Sequence, residues 1–227
     1  MSGRLRLVIF DVDGTLVDSQ HDILAAMHEG FAAVGEVAPA RETILGIVGL
    51  SLDVAVARLA PHLPDAARRE IVEGYKSAYM KLRAGQAVAT SSPFYPQARE
   101  TLDALRAVPE LLLGVATGKS ARGLAKLVEG HALEGYFVTR QVADHHPSKP
   151  HPAMLHAALA ETGVAPQDAV MVGDTSYDME MARAAGIAGI GVTWGYHRAD
   201  ALDGAARLVD DFGQLAAALM DDWGMWR

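Results

Sequence analysis

The sequence predicts an α/β protein: a parallel sheet flanked by helices, with a block of helices inserted after the first strand. Three observations predict it. Beyond residue 110, short apolar runs alternate with helical stretches. An almost wholly helical segment, from about Asp18 to Ala84, interrupts that alternation directly behind the first apolar run. Polar residues follow the apolar runs, where open α/β sheets place their reactive groups.

Taken in order, Leu5, Leu7, Val8, Ile9 and Phe10 read as a buried parallel strand. It runs into Asp11-Val12-Asp13-Gly14-Thr15-Leu16, two carboxylates spaced i,i+2 before a glycine and a hydroxyl. Acids this close repel unless a cation or a shared proton relieves them. Metal-assisted phosphoryl or acyl transfer explains such a pair; so, on these residues alone, does an acidic Asp-Gly turn.

The helical block carries three apolar stripes: Ile23, Leu24, Met27, Phe31 and Val34; then Leu52, Val56 and Leu59; then Ile71, Tyr75, Ala78 and Leu82. Pro61 and Pro64 bound the break between the last two. One crossover needs one helix, not four, so the block reads as an insertion, with the Ser- and Pro-rich stretch Ala87 to Pro96 as return linker.

Strands are then expected at 111–116, 136–138, 169–172 and 187–192. Helices are expected at 96–107, 121–129, 152–161 and 177–185, with Gly163 and Gly186 as stops and a closing helix at 212–220. Three further strand ends carry polar residues. Thr117-Gly118-Lys119-Ser120 offers a hydroxyl and backbone N–H groups ahead of a helix, a cradle for phosphate, or simply a turn with Ser120 as cap. Lys149 is held outside the next helix by Pro150 and is a candidate counter-charge. Asp174 ends a strand and Asp178 lies one helical turn on, a hard oxygen pair suited to magnesium.

Composition narrows the classes. Half of the 227 residues are hydrophobic and 21% are charged, room for one large domain or slightly more. A net charge of −8 gives no broad basic face, so neither nucleic acid nor a membrane surface is an expected partner. The absence of cysteine excludes disulfides and thiolate zinc. With no signal-like or membrane-spanning stretch, a complete cytoplasmic chain is expected. His131, His145, His146 and His151 read as solvated or packing residues, and Trp194 as core or rim packing. Trp223 and Trp226 either dock back on the domain or meet a second subunit, so monomer and homodimer both stay open.

The order and spacing of the four strand ends resemble the haloacid dehalogenase-like hydrolase superfamily. Its motifs are matched by Asp11-Val12-Asp13-Gly14-Thr15-Leu16-Val17, Thr117, Lys149, and Gly173-Asp174 with Asp178. The helical block and Leu16-Val17-Asp18-Ser19 resemble the phosphoglycolate phosphatase-like branch, which has a small helical cap. The resemblance implies a Rossmann-like, three-layer α/β/α core from residues 1–17 and 87–227, and a cap from residues 18–86. It also implies a magnesium-dependent phosphatase acting on a small phosphorylated metabolite, with 2-phosphoglycolate the first choice.

The roles carried by the resemblance are specific. Asp11 is the nucleophile and Asp13 the general acid and base. Asp11, the backbone carbonyl of Asp13, and Asp174 hold Mg2+, while Asp178 acts through a metal-bound water or by orienting Lys149. Thr117, Lys149 and the N–H groups near Gly14 and Gly118 bind the phosphoryl oxygens. Asp13 separates the chain from the dehalogenases, whose halide leaving group needs no proton. A sugar phosphomutase shares the pair, but Arg41 to Leu52 lacks the lysine of the hexose-phosphate mutase cap loop. Other small esters, pyrophosphate and a non-catalytic phosphate-binding module remain alternatives. Gly46 to Leu52 is expected to face the site, Arg41 to be a surface residue, and Gly118 departs from the family's usual asparagine.

Overall fold

The computed structural model describes residues 4–84 and 87–223, the last three without their side chains. Six parallel strands form one sheet in the order β3-β2-β1-β4-β5-β6. They are β1 (Arg6–Phe10), β2 (Leu111–Thr117), β3 (Thr139–Val142), β4 (Ala169–Gly173), β5 (Ala188–Val192) and β6 (Arg207–Val209). Alternation along β1 explains its central place. Val8 and Phe10 enter one hydrophobic cluster, and Leu7 and Ile9 the other. The first cluster takes in α6 (Ala98–Arg106), α7 (Ala121–Gly130) and α10 (Phe212–Trp223); the second takes in α8 (Ala153–Thr162) and α9 (Ser176–Ala185). The result is a Rossmann-like α/β/α sandwich, with β1 at the point where chain order reverses.

The inserted helices are α1 (Gln20–Ala32), α2 (Arg41–Leu45), α3 (Leu52–Leu59) and α4 (Asp65–Ala84). They close on a third cluster of their own, built from the foreseen stripe residues Ile23, Met27, Phe31, Val56, Leu59 and Ile71. A short helix, α5 (Val88–Ser91), lies in the expected return linker, and Val17 bridges Phe94 where the chain re-enters the sheet domain.

Two expectations are corrected. The strand read at 136–138 lies at Thr139–Val142 instead. Tyr136 and Phe137 are buried in the turn before it, whereas Thr139 and Gln141 hydrogen-bond Glu161 from within the strand. Apolarity there marked burial rather than extended backbone. Edge strand β6 was not read at all, because only Val209 of its three residues is buried. Trp194 packs as expected, its ring 4.8 Å from that of Phe212. The Trp223 side chain and Trp226 lie outside the described residues. Among the described residues, no helix is long and apolar enough to cross a membrane.

Candidate active site

The carboxyl ends of β1, β2 and β4, with the loop after β3, bring the foreseen residues to one place. Asp11 extends β1, and its N–H donates to the Val172 carbonyl at 2.9 Å. Gly14 turns the chain at φ 84, and a Cβ there would sit 2.2 Å from Asp174 Oδ2. The loop can therefore lie against the Asp174 carboxylate only without a side chain at residue 14.

Lys149 is the electrostatic hub. Its side chain is fully buried, with Nζ 2.6 Å from Asp178 Oδ1 and 2.9 Å from Asp11 Oδ1. Burial opposes its charge, but Asp11 and Asp178 more than reverse that and hold the ammonium above its ordinary range. Asp178 is fixed from its other side. Thr175 caps α9 through a capping box, donating from its N–H at 3.1 Å and its hydroxyl at 2.7 Å to Asp178 Oδ2. Helix capping and lysine placement thus use the two oxygens of one carboxylate.

Asp174 accepts from the Thr15 hydroxyl (2.8 Å) and the Tyr196 N–H (2.8 Å). Burial, then Asp11 and Asp178, push its carboxyl well above the usual range. Asp11 is raised from 3.8 to about 7, first by burial and with Asp178 and Asp13 adding to it, while Lys149 pulls it down. Among the described residues Asp11 Oδ1 meets only the Lys149 ammonium, and Oδ2 has no hydrogen-bond partner. One oxygen each from Asp11, Asp174 and Asp178 lie within 4.8 Å of one another, a buried cluster able to hold a divalent cation.

Asp13 faces the other way. Lys119 Nζ stands 2.7 Å from its Oδ1, and the Ser19 hydroxyl donates to the same oxygen. Lys119 also reaches the Tyr79 hydroxyl on α4 at 3.3 Å. Four carboxylates (Asp11, Asp13, Asp174, Asp178) therefore face two ammonium groups (Lys119, Lys149) in a buried site. With all four ionised, two negative charges are left over, a deficit that one divalent cation would fill. The unpartnered Asp11 Oδ2 and the pKa of Asp11, raised first by burial and then by its acidic neighbours, accord with that deficit.

Thr117 and Gly118 line the same chamber of about 690 Å³, with Asp11, Asp13 and Lys119. The cap loop 46–52 closes over it: a Cβ on Gly118 would meet the carbonyl oxygens of Gly49 and Leu50 at 2.6 Å. The loop is tied to the core by the Gly46 carbonyl, which accepts from the Tyr177 hydroxyl at 2.9 Å, and by the Ser51 N–H, which donates to Ser148 Oγ at 2.9 Å. Arg41 stays outside, exposed and bonded to Gln20, as expected. Sequence reading passed over Lys119, Ser19, Thr15 and Tyr196. Lys119, Ser19 and Thr15 stood inside the motifs and carried a faint signal; Tyr196, 22 residues beyond Asp174, carried none. His131 and His146 bond Ser92 and Gln141, and neither joins the carboxylate cluster.

Residues 8–192 match the family model of the haloacid dehalogenase-like hydrolases. The chain is 35% identical over 217 residues to "Probable phosphatase IndB" of Dickeya dadantii, covering 93% of this chain and 92% of that one. It is 33% identical to a phosphoglycolate phosphatase of Pseudomonas savastanoi, with 97% and 82% covered. A haloacid dehalogenase-like family protein from Streptococcus pneumoniae superposes with a TM-score of 0.80 at 27% identity, covering 94% of this chain and 98% of that one. With the sheet order, the inserted helices and the buried carboxylate cluster, these matches place the chain in the haloacid dehalogenase-like hydrolase family, in its cap-bearing, phosphoglycolate phosphatase-like branch.

Proposed function

We propose that this hydrolase is a magnesium-dependent phosphatase that cleaves a small phosphate monoester through a phosphorylated Asp11. One observation carries the reading. A buried lysine bridges Asp11 and Asp178, Asp174 lies beside them, and the set is two charges short of neutrality at the floor of a chamber. Asp11, the Asp13 carbonyl and Asp174 would hold Mg2+, which, when bound, offsets the charge of the incoming phosphoryl group. Asp178 has both oxygens committed to Lys149 and Thr175, which suits a residue that orients the lysine.

Asp11 attacks phosphorus, forming a new P–O bond as the ester P–O bond breaks. Asp13 protonates the departing alkoxide, then takes a proton from the water that hydrolyses the acyl phosphate. Lys149, the Thr117 hydroxyl and the N–H groups near Gly14 and Gly118 hold the phosphoryl oxygens during transfer. Residues 18–86 serve as the cap over a core built from 1–17 and 87–227, in a cytoplasmic monomer or homodimer.

Relatives named phosphoglycolate phosphatases, from Vibrio vulnificus and Pseudomonas savastanoi, make 2-phosphoglycolate the reference substrate. The test is phosphate release from 2-phosphoglycolate and a panel of small esters with Mg2+, for the native chain and Asp11→Asn. The native chain should turn over and carry phosphate on the Asp11 peptide by mass spectrometry; the variant should do neither. Normal turnover by Asp11→Asn would remove the nucleophile and the mechanism with it.

A further inference from the structure

The chamber above Asp11 and Asp13 is built for more than a two-carbon ester. Its volume is about 690 Å³, within the range of pockets for drug-sized ligands, about 300–1,000 Å³. 2-Phosphoglycolate has roughly nine heavy atoms; even at the ~30 Å³ of liquid water per atom it would occupy ~270 Å³. The wall that the helical cap contributes is mostly apolar and aromatic, with Ile23, Met27, Ile47, Leu50, Tyr75 and Tyr79, although Asp53, Glu73, Lys76 and Arg83 also border it. Tyr75 and Tyr79 stack with ring centroids 5.7 Å apart, which makes part of that wall rigid.

The charges point the same way. A substrate with a carboxylate on its leaving group needs a cation to meet it in this chamber. Of the chamber's five cations among the described residues, Lys119 and Arg83 have buried side chains and face acids of this chain, whereas Lys76, Arg122 and Lys126 are exposed. Lys119 lies 2.7 Å from Asp13 and Arg83 lies 3.5 Å from Asp22. Diverting Lys119 or Arg83 to a substrate carboxylate would leave Asp13 or Asp22 buried without its partner, a strong penalty. An uncharged apolar group meets no such penalty and gains from leaving water.

From the size, the lining and the paired buried cations of the chamber, we infer that the physiological leaving group is an uncharged alcohol with a sizeable apolar or aromatic body. The inference rests on the phosphatase reading for the position of the phosphoryl group, and it replaces 2-phosphoglycolate as the preferred ester. The whole chain with Mg2+ is assayed on ethyl phosphate, 2-phenylethyl phosphate and 2-phosphoglycolate, all esters of alkoxide leaving groups. Binding of the same three to Asp11→Asn is measured by calorimetry.

kcat/KM for 2-phenylethyl phosphate should exceed that for both other esters by at least tenfold, and its Kd for the variant should be lowest. Ile47→Trp, which narrows the chamber from a half-buried position, should lower the ratio of the 2-phenylethyl phosphate kcat/KM to the ethyl phosphate kcat/KM at least fivefold. Equal or better use of 2-phosphoglycolate, or tighter binding of it, overturns the inference and leaves the phosphatase reading standing. Preferential binding of 2-phenylethyl phosphate with no phosphate released from any ester overturns the phosphatase reading while the chamber's preference stands.

Discussion

Lys149 shows how one side chain can serve stability and chemistry together. Replacing it by methionine keeps its volume but strands Asp11 and Asp178, both buried, without their shared counter-charge. We expect Lys149→Met to lose about 3–5 kcal/mol in urea unfolding without divalent metal, alongside loss of activity; unchanged stability would mean the carboxylates are not charged in the fold. Asp11 makes a second prediction. Its folded pKa of about 7 lies above the ordinary 3.8, so the folded state binds this proton more tightly than the unfolded chain. No penalty exists below both values, it grows as pH rises from 3.8 to about 7, and it is complete above that. Metal-free protein should therefore lose stability across that window through this group. Added Mg2+, which competes with the proton, should raise Tm more at pH 8 than at pH 5. Equal increments at the two pH values would argue against Asp11 as a metal ligand.

Among the elements, the cap loop between α2 and α3 and the turn after β2 meet backbone to backbone. The Gly49 and Leu50 carbonyls leave no room for a Cβ at residue 118. The position therefore favours glycine, and the reason lies in the cap rather than in phosphate binding alone. Gly118→Val should hold the loop off the site and lower kcat/KM by tenfold or more. Far-ultraviolet circular dichroism should be unchanged and Tm should stay within a few degrees, since the clash lies between a loop and a turn rather than in a core. Native kcat/KM in this variant would show that the loop need not approach the turn.

At the scale of the molecule, three hydrophobic clusters are distinct, one on each face of the sheet and one inside the helical insertion. Phe31, fully buried in the last, should cost about 3–5 kcal/mol of local stability when cut to alanine. Hydrogen exchange should then accelerate across α1, α3 and α4 while β1 and β4 keep their protection. Uniform acceleration would show that cap and core unfold as one unit.

What could be read from the chain alone was whatever depends on local pattern. The apolar runs of β1, β2 and β4 are long and bounded by polar residues, so both the strands and the reactive groups at their ends were legible. The same logic failed at β3, where a polar strand follows an apolar turn, and at the three-residue β6. Asp11, Asp13, Thr117, Lys149, Asp174 and Asp178 could be singled out as candidates because each sits at a recognisable offset from a strand or motif. Lys119 on Asp13, Tyr196 on Asp174 and Gly118 under the cap loop were decided only by the fold. Contacts between segments far apart in the chain depend on how strands order and how the cap closes, and burial then turns ordinary charges into a site with a deficit. Residue order specified the chemical groups; three-dimensional packing set their partners, their protonation and the size of the chamber above them.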